Sequence, residues 1–255
     1  MTTSQLWHCI TVMCEEITQD RFLNDRIAVL QYRNGYRFSI DAALLAAFAA
    51  PDGGSRIVDL GTGCGIIPLI LGYRYPGVHI VGVEIQETLA KLATRNAVIN
   101  GFTNRIVIRC ANLNSLSIQD VAGPVDLVVS NPPYRKAMSG RINPKRQQAV
   151  ARHEILTTLS DVVNAARRLL GIGGQFAVIY PAERVTDLLA AMRAASIEPK
   201  QLQTVHSRSH GLARRVLVSG VKGSRPGGMT VRPPLIIYET DGAYTRDVTA
   251  MLADG

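Results

Sequence analysis

The sequence predicts an α/β chain built on a mostly parallel sheet with helices on both faces, and three observations predict it. From Arg56 to Ala195, short β-branched apolar runs alternate with longer stretches of helical period, the pattern of successive βαβ units. At the first strand-to-helix step, Val58-Asp59-Leu60 runs into Gly61-Thr62-Gly63-Cys64-Gly65, a turn whose glycines let the backbone approach a ligand closely. A later strand, Val125 to Val129, ends in Ser130-Asn131-Pro132-Pro133-Tyr134, where two prolines forbid further ladder pairing.

The elements follow in order. Residues 1–16 have no clear period and are expected as a flexible tail, leaving 17–255 as one domain. Ile17 to Asp25 reads as a polar entry segment. Ala28 to Tyr32 and Tyr36 to Ser39 flank Arg33-Asn34-Gly35, whose Asn-Gly pair accommodates positive φ, so the spacing predicts a β-hairpin there. Asp41 to Ala50 is Ala/Leu-rich and helical, with Ser39 as N-cap and Pro51-Asp52-Gly53-Gly54 as its stop. Strands are expected at 56–60, 79–83, 105–110, 125–130 and 175–180, and helices at 66–73, 86–100, 154–170 and 182–195. A closing pair at 202–206 and 215–221 brings the sheet to seven strands, and 235–238 reads as an edge strand.

Composition narrows the function. At 255 residues and 47% apolar content the chain has ample material for a core. No apolar stretch reaches the roughly 20 residues a membrane helix needs, and Met1 to Gln5 lack a signal peptide's basic start, so the protein is expected to be soluble and cytoplasmic. Cys9, Cys14, Cys64 and Cys110 show no CxxC spacing and the five histidines no HExxH, so neither a metal site nor a disulfide framework is expected. The net charge is +8, and 23 of the 28 cations are arginine, the side chain whose fork best matches phosphate. Two runs carry cations without acids: Arg135, Lys136, Arg141, Lys145, Arg146 and Arg152 in one, and Lys200, Arg208, Arg214, Arg215, Lys222, Arg225 and Arg232 in the other. Together they point to nucleic acid as partner, with Arg135, Lys136, Arg141, Lys145 and Arg146 gripping RNA phosphates beside the site.

The two motifs carry the chemistry. The Asn131 oxygen and a proline carbonyl can accept both hydrogens of an exocyclic amino group, while Tyr134 stacks on the ring that bears it. Glu84, 19 residues after Gly65 at the end of the second strand of the alternation, is placed to accept bonds from both hydroxyls of a ribose. The turn is GxGxG with an acid two residues before its first glycine, not the GxGxxG that packs a pyrophosphate. Asp59 would face an anion badly and suits a ligand bearing an ammonium and a sulfonium.

Asp59-Leu60-Gly61-Thr62-Gly63-Cys64-Gly65, Glu84 and Asn131-Pro132-Pro133-Tyr134 together resemble the S-adenosylmethionine-dependent class I methyltransferases that modify exocyclic or amide nitrogens. More narrowly, Gly35 to Ala42, Ala151-Arg152-His153-Glu154, and Leu235 to Tyr238 through Gly242 to Thr245 resemble the bacterial tRNA1(Val) adenine-37 N6-methyltransferases. The resemblance implies a Rossmann-like fold and S-adenosylmethionine as cofactor. It implies that Asp59, Gly61, Gly63 and Gly65 hold the methionine end of that cofactor and Glu84 its ribose. Asn112 stands where the family carries an Asp bonding the adenine amino group, with the Leu113 N-H available for ring N1. Ser39 and Asp41 fall in the extension, residues 17–55, that closes over the cofactor, and Asn131 sits where donor and acceptor meet. The implied reaction is methyl transfer to N6 of an adenine in tRNA, adenine 37 of the anticodon loop, with Asn131, Pro132, Pro133 and Tyr134 catalytic.

Three rivals share parts of this pattern. The tetrad also fits a protein glutamine amide, although enzymes of that kind carry an additional N-terminal helical domain that the residues before Arg56 are too few to form. Guanine N2 of ribosomal RNA is a second amino-group substrate. A nucleic-acid-binding protein that keeps the cofactor as a structural ligand is the third, and the intact Asp59, Glu84 and Asn131 speak against it.

Overall fold

The computed structural model of the chain describes residues 16–33, 37–132 and 157–253. Its first elements are two strands, β1 (Ile17–Phe22) and β2 (Ile27–Tyr32), and helix α1 (Ile40–Ala49). The α/β alternation is β3 (Arg56–Leu60), α2 (Ile66–Arg74), β4 (His79–Glu84), α3 (Glu87–Ile99), β5 (Ile106–Cys110) and β6 (Val125–Ser130), resuming with α4 (Leu159–Leu169), β7 (Leu170–Pro181) and α5 (Val185–Ala194). The long strands β8 (Ile197–His206) and β9 (Ala213–Lys222), the two-residue strands β10 (Thr230–Val231) and β11 (Leu235–Ile236), and α6 (Arg246–Leu252) complete it.

The main sheet has the order β10-β8-β9-β7-β6-β3-β4-β5, with β11 also beside β8. Seven strands make the expected sheet, parallel except for β9, and the two short strands extend it along β8. The chain runs outward from β3 to β4 and β5, then returns to place β6 on the other side of β3. Strand order therefore reverses between β3 and β6, and such a switch point opens a crevice beyond the strands' carboxyl ends. Alternation along β3 sends Ile57 into a core with α1, α2 and α3, and Val58 and Leu60 into a second core with α4 and α5.

The hairpin differs from expectation. Ala28 to Tyr32 does pair, but with Ile17–Phe22 upstream, through a turn in which Leu23, Asn24 and Asp25 all have positive φ. Arg37 to Ser39 form no strand, and Asn34 to Tyr36 lie outside the described residues. Asn24 and Asp25 are among the non-glycine residues that tolerate the left-handed region best, and the turn they make closes the ladder.

On its other edge β2 meets helix side chains instead of a strand. The Asn96 amide accepts from Leu30 N at 2.8 Å and donates to Leu30 O at 3.0 Å. One turn later, Asn100 makes the same pair of bonds with Ala28, at 2.9 and 2.7 Å. Two asparagines spaced i,i+4 fall on one face of α3 and match alternate residues of a strand.

Helix α4 begins later than the expected residue 154: Thr158 and Asp161 form a capping box at its described start. It ends on Leu169, and the chain enters β7 before Gly171 rather than after it. Among the described residues, no helix is long and apolar enough to cross a membrane.

Candidate active site

The three best-defined sequence motifs converge at the reversal between β3 and β6. Asp59 is the penultimate residue of β3, Glu84 closes β4 on one side, and Asn131 and Pro132 follow β6 on the other. The tips of β3 and β6 are locked together, because the buried Ser130 hydroxyl donates to Leu60 O at 2.8 Å.

The glycine turn is internally braced. Gly61 N and Thr62 N both donate to Val83 O at 2.9 Å, Gly63 N donates to Glu84 Oε2 at 2.9 Å, and Gly65 N to Thr62 O at 2.9 Å. These N-H groups are spent within the fold, so the turn is not a phosphate cradle, which needs them pointing outward. Gly61 and Gly63 have φ of +78° and +58°, and a Cβ on either would meet nothing within 4 Å. The surface beside them is open to a ligand. Gly65 serves packing instead: its Cβ would lie 3.2 Å from that of Ala93 on α3.

Asp59 is fully buried, and neither carboxylate oxygen makes a hydrogen bond of good geometry; nor does the buried Thr62 hydroxyl. Burial, with the Glu84 charge adding to it and Thr62 opposing, pushes the Asp59 carboxyl up to about 7. A buried carboxylate without partners is costly, and a cationic group entering the turn would relieve it. The turn thus fits a ligand with a positive end and does not fit a pyrophosphate. Glu84 holds its place through Gly63 N and, at 2.9 Å, Gln86 N. Each bond uses one lone-pair direction of each oxygen, which leaves acceptor capacity for two hydroxyls.

The remaining expected residues fall as follows. The Asn112 oxygen accepts from Asn114 N at 2.9 Å, capping the 3-10 turn Leu113–Ser115 after β5, so its amide is already engaged in shaping the loop. The Leu113 N-H has no partner among the described residues. Ser39 caps α1, accepting from Asp41 N at 3.3 Å, and Asp41 is bonded to Arg215 Nε on β9 at 3.2 Å, which ties the start of α1 to the carboxyl edge of the sheet. Asn131 is half-buried and Pro132 buried. Pro133, Tyr134, Arg135, Lys136, Arg141, Lys145, Arg146 and His153 lie outside the described residues.

Two positioning residues escaped the sequence reading. Arg168 on α4 reaches over to the loop after β5, donating to the carbonyls of Leu113, Asn114 and Leu116 at 2.7, 3.3 and 3.2 Å. Asn96, wholly buried, adds to its bonds with β2 a third, from Nδ2 to Cys64 O in the glycine turn at 2.8 Å. A polar Asn one turn from a second Asn, inside an otherwise apolar helix face, was the available signal for it. Among the described residues, no group of three His, Cys, Asp or Glu side chains could hold a metal.

Comparison with known proteins agrees with this geometry. The profile of the methyltransferase small domain family matches residues 39–193. A Porphyromonas gingivalis protein named tRNA1(Val) (adenine(37)-N6)-methyltransferase is 32% identical, over 89% of this chain and 91% of its own length. An Aeromonas hydrophila protein of the same name is 28% identical, over 84% of this chain and 87% of its own length. Among solved structures, a predicted O-methyltransferase of Agrobacterium tumefaciens superposes with a TM-score of 0.67 at 26% identity, covering 84% of this chain and 98% of that one. A cation-seeking turn at a strand-order reversal, on a chain that aligns with these relatives along most of its length, leaves one assignment: the chain belongs to the methyltransferase small domain family.

Proposed function

We propose that the chain methylates N6 of adenine 37 in tRNA1(Val), with S-adenosylmethionine as donor. One observation carries the reading: the Ser130-to-Leu60 bond holds the turn with the unpartnered Asp59 carboxylate against the strand tip that presents Asn131 and Pro132. Relatives bearing that activity as their name align over nearly the whole chain, which supports the substrate. A tRNA substrate makes the cytoplasm its place of work, and residues 17–255 act as one catalytic unit, with 17–55 as cover over the donor.

In this reading Asp59 draws the cationic methionine end of the donor to Gly61 and Gly63, while Gly65 seats the turn against α3. Glu84 accepts from the ribose hydroxyls, the Leu113 N-H meets the adenine ring, and Asn112 shapes the loop that offers it. Ser39 and Asp41 hold the start of α1 beside them. Bound S-adenosylmethionine supplies a methyl group already activated by its sulfonium.

The task left to the chain is alignment, which is worth up to about 7–11 kcal/mol. Asn131 Oδ1 and the Pro132 carbonyl accept the two hydrogens of the target amine, drawing its lone pair out of conjugation and toward the methyl. No base is needed before transfer, because the alkylated amine is acidic and releases its proton to water. Pro133 stiffens the step, and Tyr134 stacks on a base taken out of its own stack, as is least costly in an unpaired loop. Arg135, Lys136, Arg141, Lys145 and Arg146 grip the neighbouring phosphates.

The test is a radiolabelled methyl assay on bulk tRNA, ribosomal RNA and a release factor, followed by nucleoside mass spectrometry. Label in N6-methyladenosine of a single tRNA species is the expected result. Label in guanine or in protein would refute the reading.

A further inference from the structure

The second cation-rich run, 199–238, is divided by the fold. Lys200 is spent on the carbonyls of Arg225 and Gly227, and Lys222 on those of Arg167 and Leu170. Arg215 is bonded to Asp41. Arg208 and Arg214 instead reach the carboxyl edge of the sheet, the edge that carries Asn131.

A cavity of about 510 Å³ opens there, between the β8–β9 loop and the segment from β11 into α6. Arg208, His210, Tyr238, Glu239, Arg246 and Asp247 line it. The loop is braced internally. The His206 ring is bonded to Gly211 O at 2.8 Å and to Thr204 Oγ1 at 3.0 Å, and Gly211 N closes a turn onto Arg208 O at 3.0 Å. Arg208 donates to the carbonyls of Glu239 and Thr240, at 3.3 and 3.1 Å, and has no ion-pair partner among the described residues. Arg246 has no ion-pair partner among the described residues. Tyr238 is its aromatic lining residue, backed by Tyr244, whose ring stacks on it with centroids 5.3 Å apart and planes 16° from parallel.

The chemistry of this lining is that of a nucleotide rather than a bare anion. Two guanidinium groups suit phosphates, while the Glu239 and Asp247 carboxylates would repel a lone phosphate but accept from ribose hydroxyls and base amino groups. The volume lies in the range of small-ligand sites. Position decides the source: the strand order β8-β9-β7-β6 puts the cavity three strand intervals, about 14 Å, from the tip of β6. A splayed loop strand covers that span in a few nucleotides.

We propose that this cavity is a second nucleic-acid subsite, taking one nucleotide of the unpaired RNA strand whose target base lies at Asn131. The proposal rests on the reading of RNA as substrate. Arg208 and Arg246 each meet one phosphate flanking the held nucleotide, and the carboxylates favour RNA over DNA through the 2′-hydroxyl.

The test compares wild type with the double variant Arg208→Ala/Arg246→Ala, measuring tRNA binding by fluorescence anisotropy across a salt series. Two lost phosphate contacts should flatten the slope of log K against log salt by about 1.4. KM for tRNA should rise about tenfold with kcat kept, and calorimetric affinity for S-adenosylmethionine should not change. Arg208→Lys/Arg246→Lys should retain most of the slope. If the wild type methylates tRNA and the alanine variant keeps its slope and KM, the subsite is refuted and the function stands. If the wild type neither binds nor methylates RNA, both fall.

Discussion

Replacing Asp59 by Asn should make the free protein more stable, and by an amount that depends on pH. The side chain keeps its shape and loses its charge, at a position where burial lifts the carboxyl from 3.8 to about 7. The folded pKa is raised, so the folded state holds the proton more tightly than the unfolded chain does. Stability is full below about pH 4 and is lost as pH rises toward 7. At 1.36 kcal/mol per unit, the penalty reaches about 4 kcal/mol at pH 8 and about 2 kcal/mol at pH 5. Urea denaturation of wild type and Asp59→Asn at the two pH values reads the difference directly. The variant should gain most at pH 8 and about half as much at pH 5. The same variant should bind S-adenosylmethionine at least about tenfold more weakly at pH 8, because the cation loses its counter-charge. Equal stability of the two proteins at pH 8, or a gain that does not shrink at pH 5, would refute the picture of an uncompensated carboxylate awaiting a cation.

Three further outcomes are expected. Asn131→Ala should lower kcat by at least about a hundredfold while calorimetric donor affinity stays near wild type, since the side chain aligns the acceptor. Arg168→Ala should raise KM for the donor about tenfold with kcat retained, through a loosened 113–116 loop, and Arg168→Lys should recover part of the loss. Asn96→Ala strips partners from Leu30 N, Leu30 O and Cys64 O and should cost about 3 kcal/mol. Hydrogen exchange at the Leu30 amide should quicken in the same variant, and an unchanged rate would contradict the pairing.

What could be read from the sequence was what depends on neighbours along the chain. The glycine turn, the acid before it, Glu84 at a strand end and the Asn131-Pro132 step each declare themselves within a few residues, and the structure puts them on adjacent strand tips. Ser39 as cap of α1 is local in the same way. The hairpin differs from expectation because Ile17–Phe22 carries a single apolar residue on each face, too few to show a strand period, and Leu23 does not advertise its positive φ. Asn96 and Arg168 act across 66 and 55 residues, and nothing beside them in sequence marks their partners. Asn112 is a middle case: the bond from Asn114 N is local, but whether the amide serves loop or ligand depends on where the loop folds. The second cation-rich run illustrates the same limit, since Lys200, Lys222 and Arg208 all bond to main-chain carbonyls but of the three Arg208 lines the cavity, though the sequence presents them alike.

The asparagine pair along β2 has a consequence for solubility. A two-stranded ribbon normally offers an outer row of backbone groups to any passing chain, and proteins guard against such recruitment with charges, prolines or bulges. Here carboxamides from a helix occupy two residues of that row, and a carboxamide cannot propagate a ladder. The ribbon is thereby sealed on the side that would otherwise template aggregation, and exchanging Asn96 and Asn100 together for leucine would unmask it.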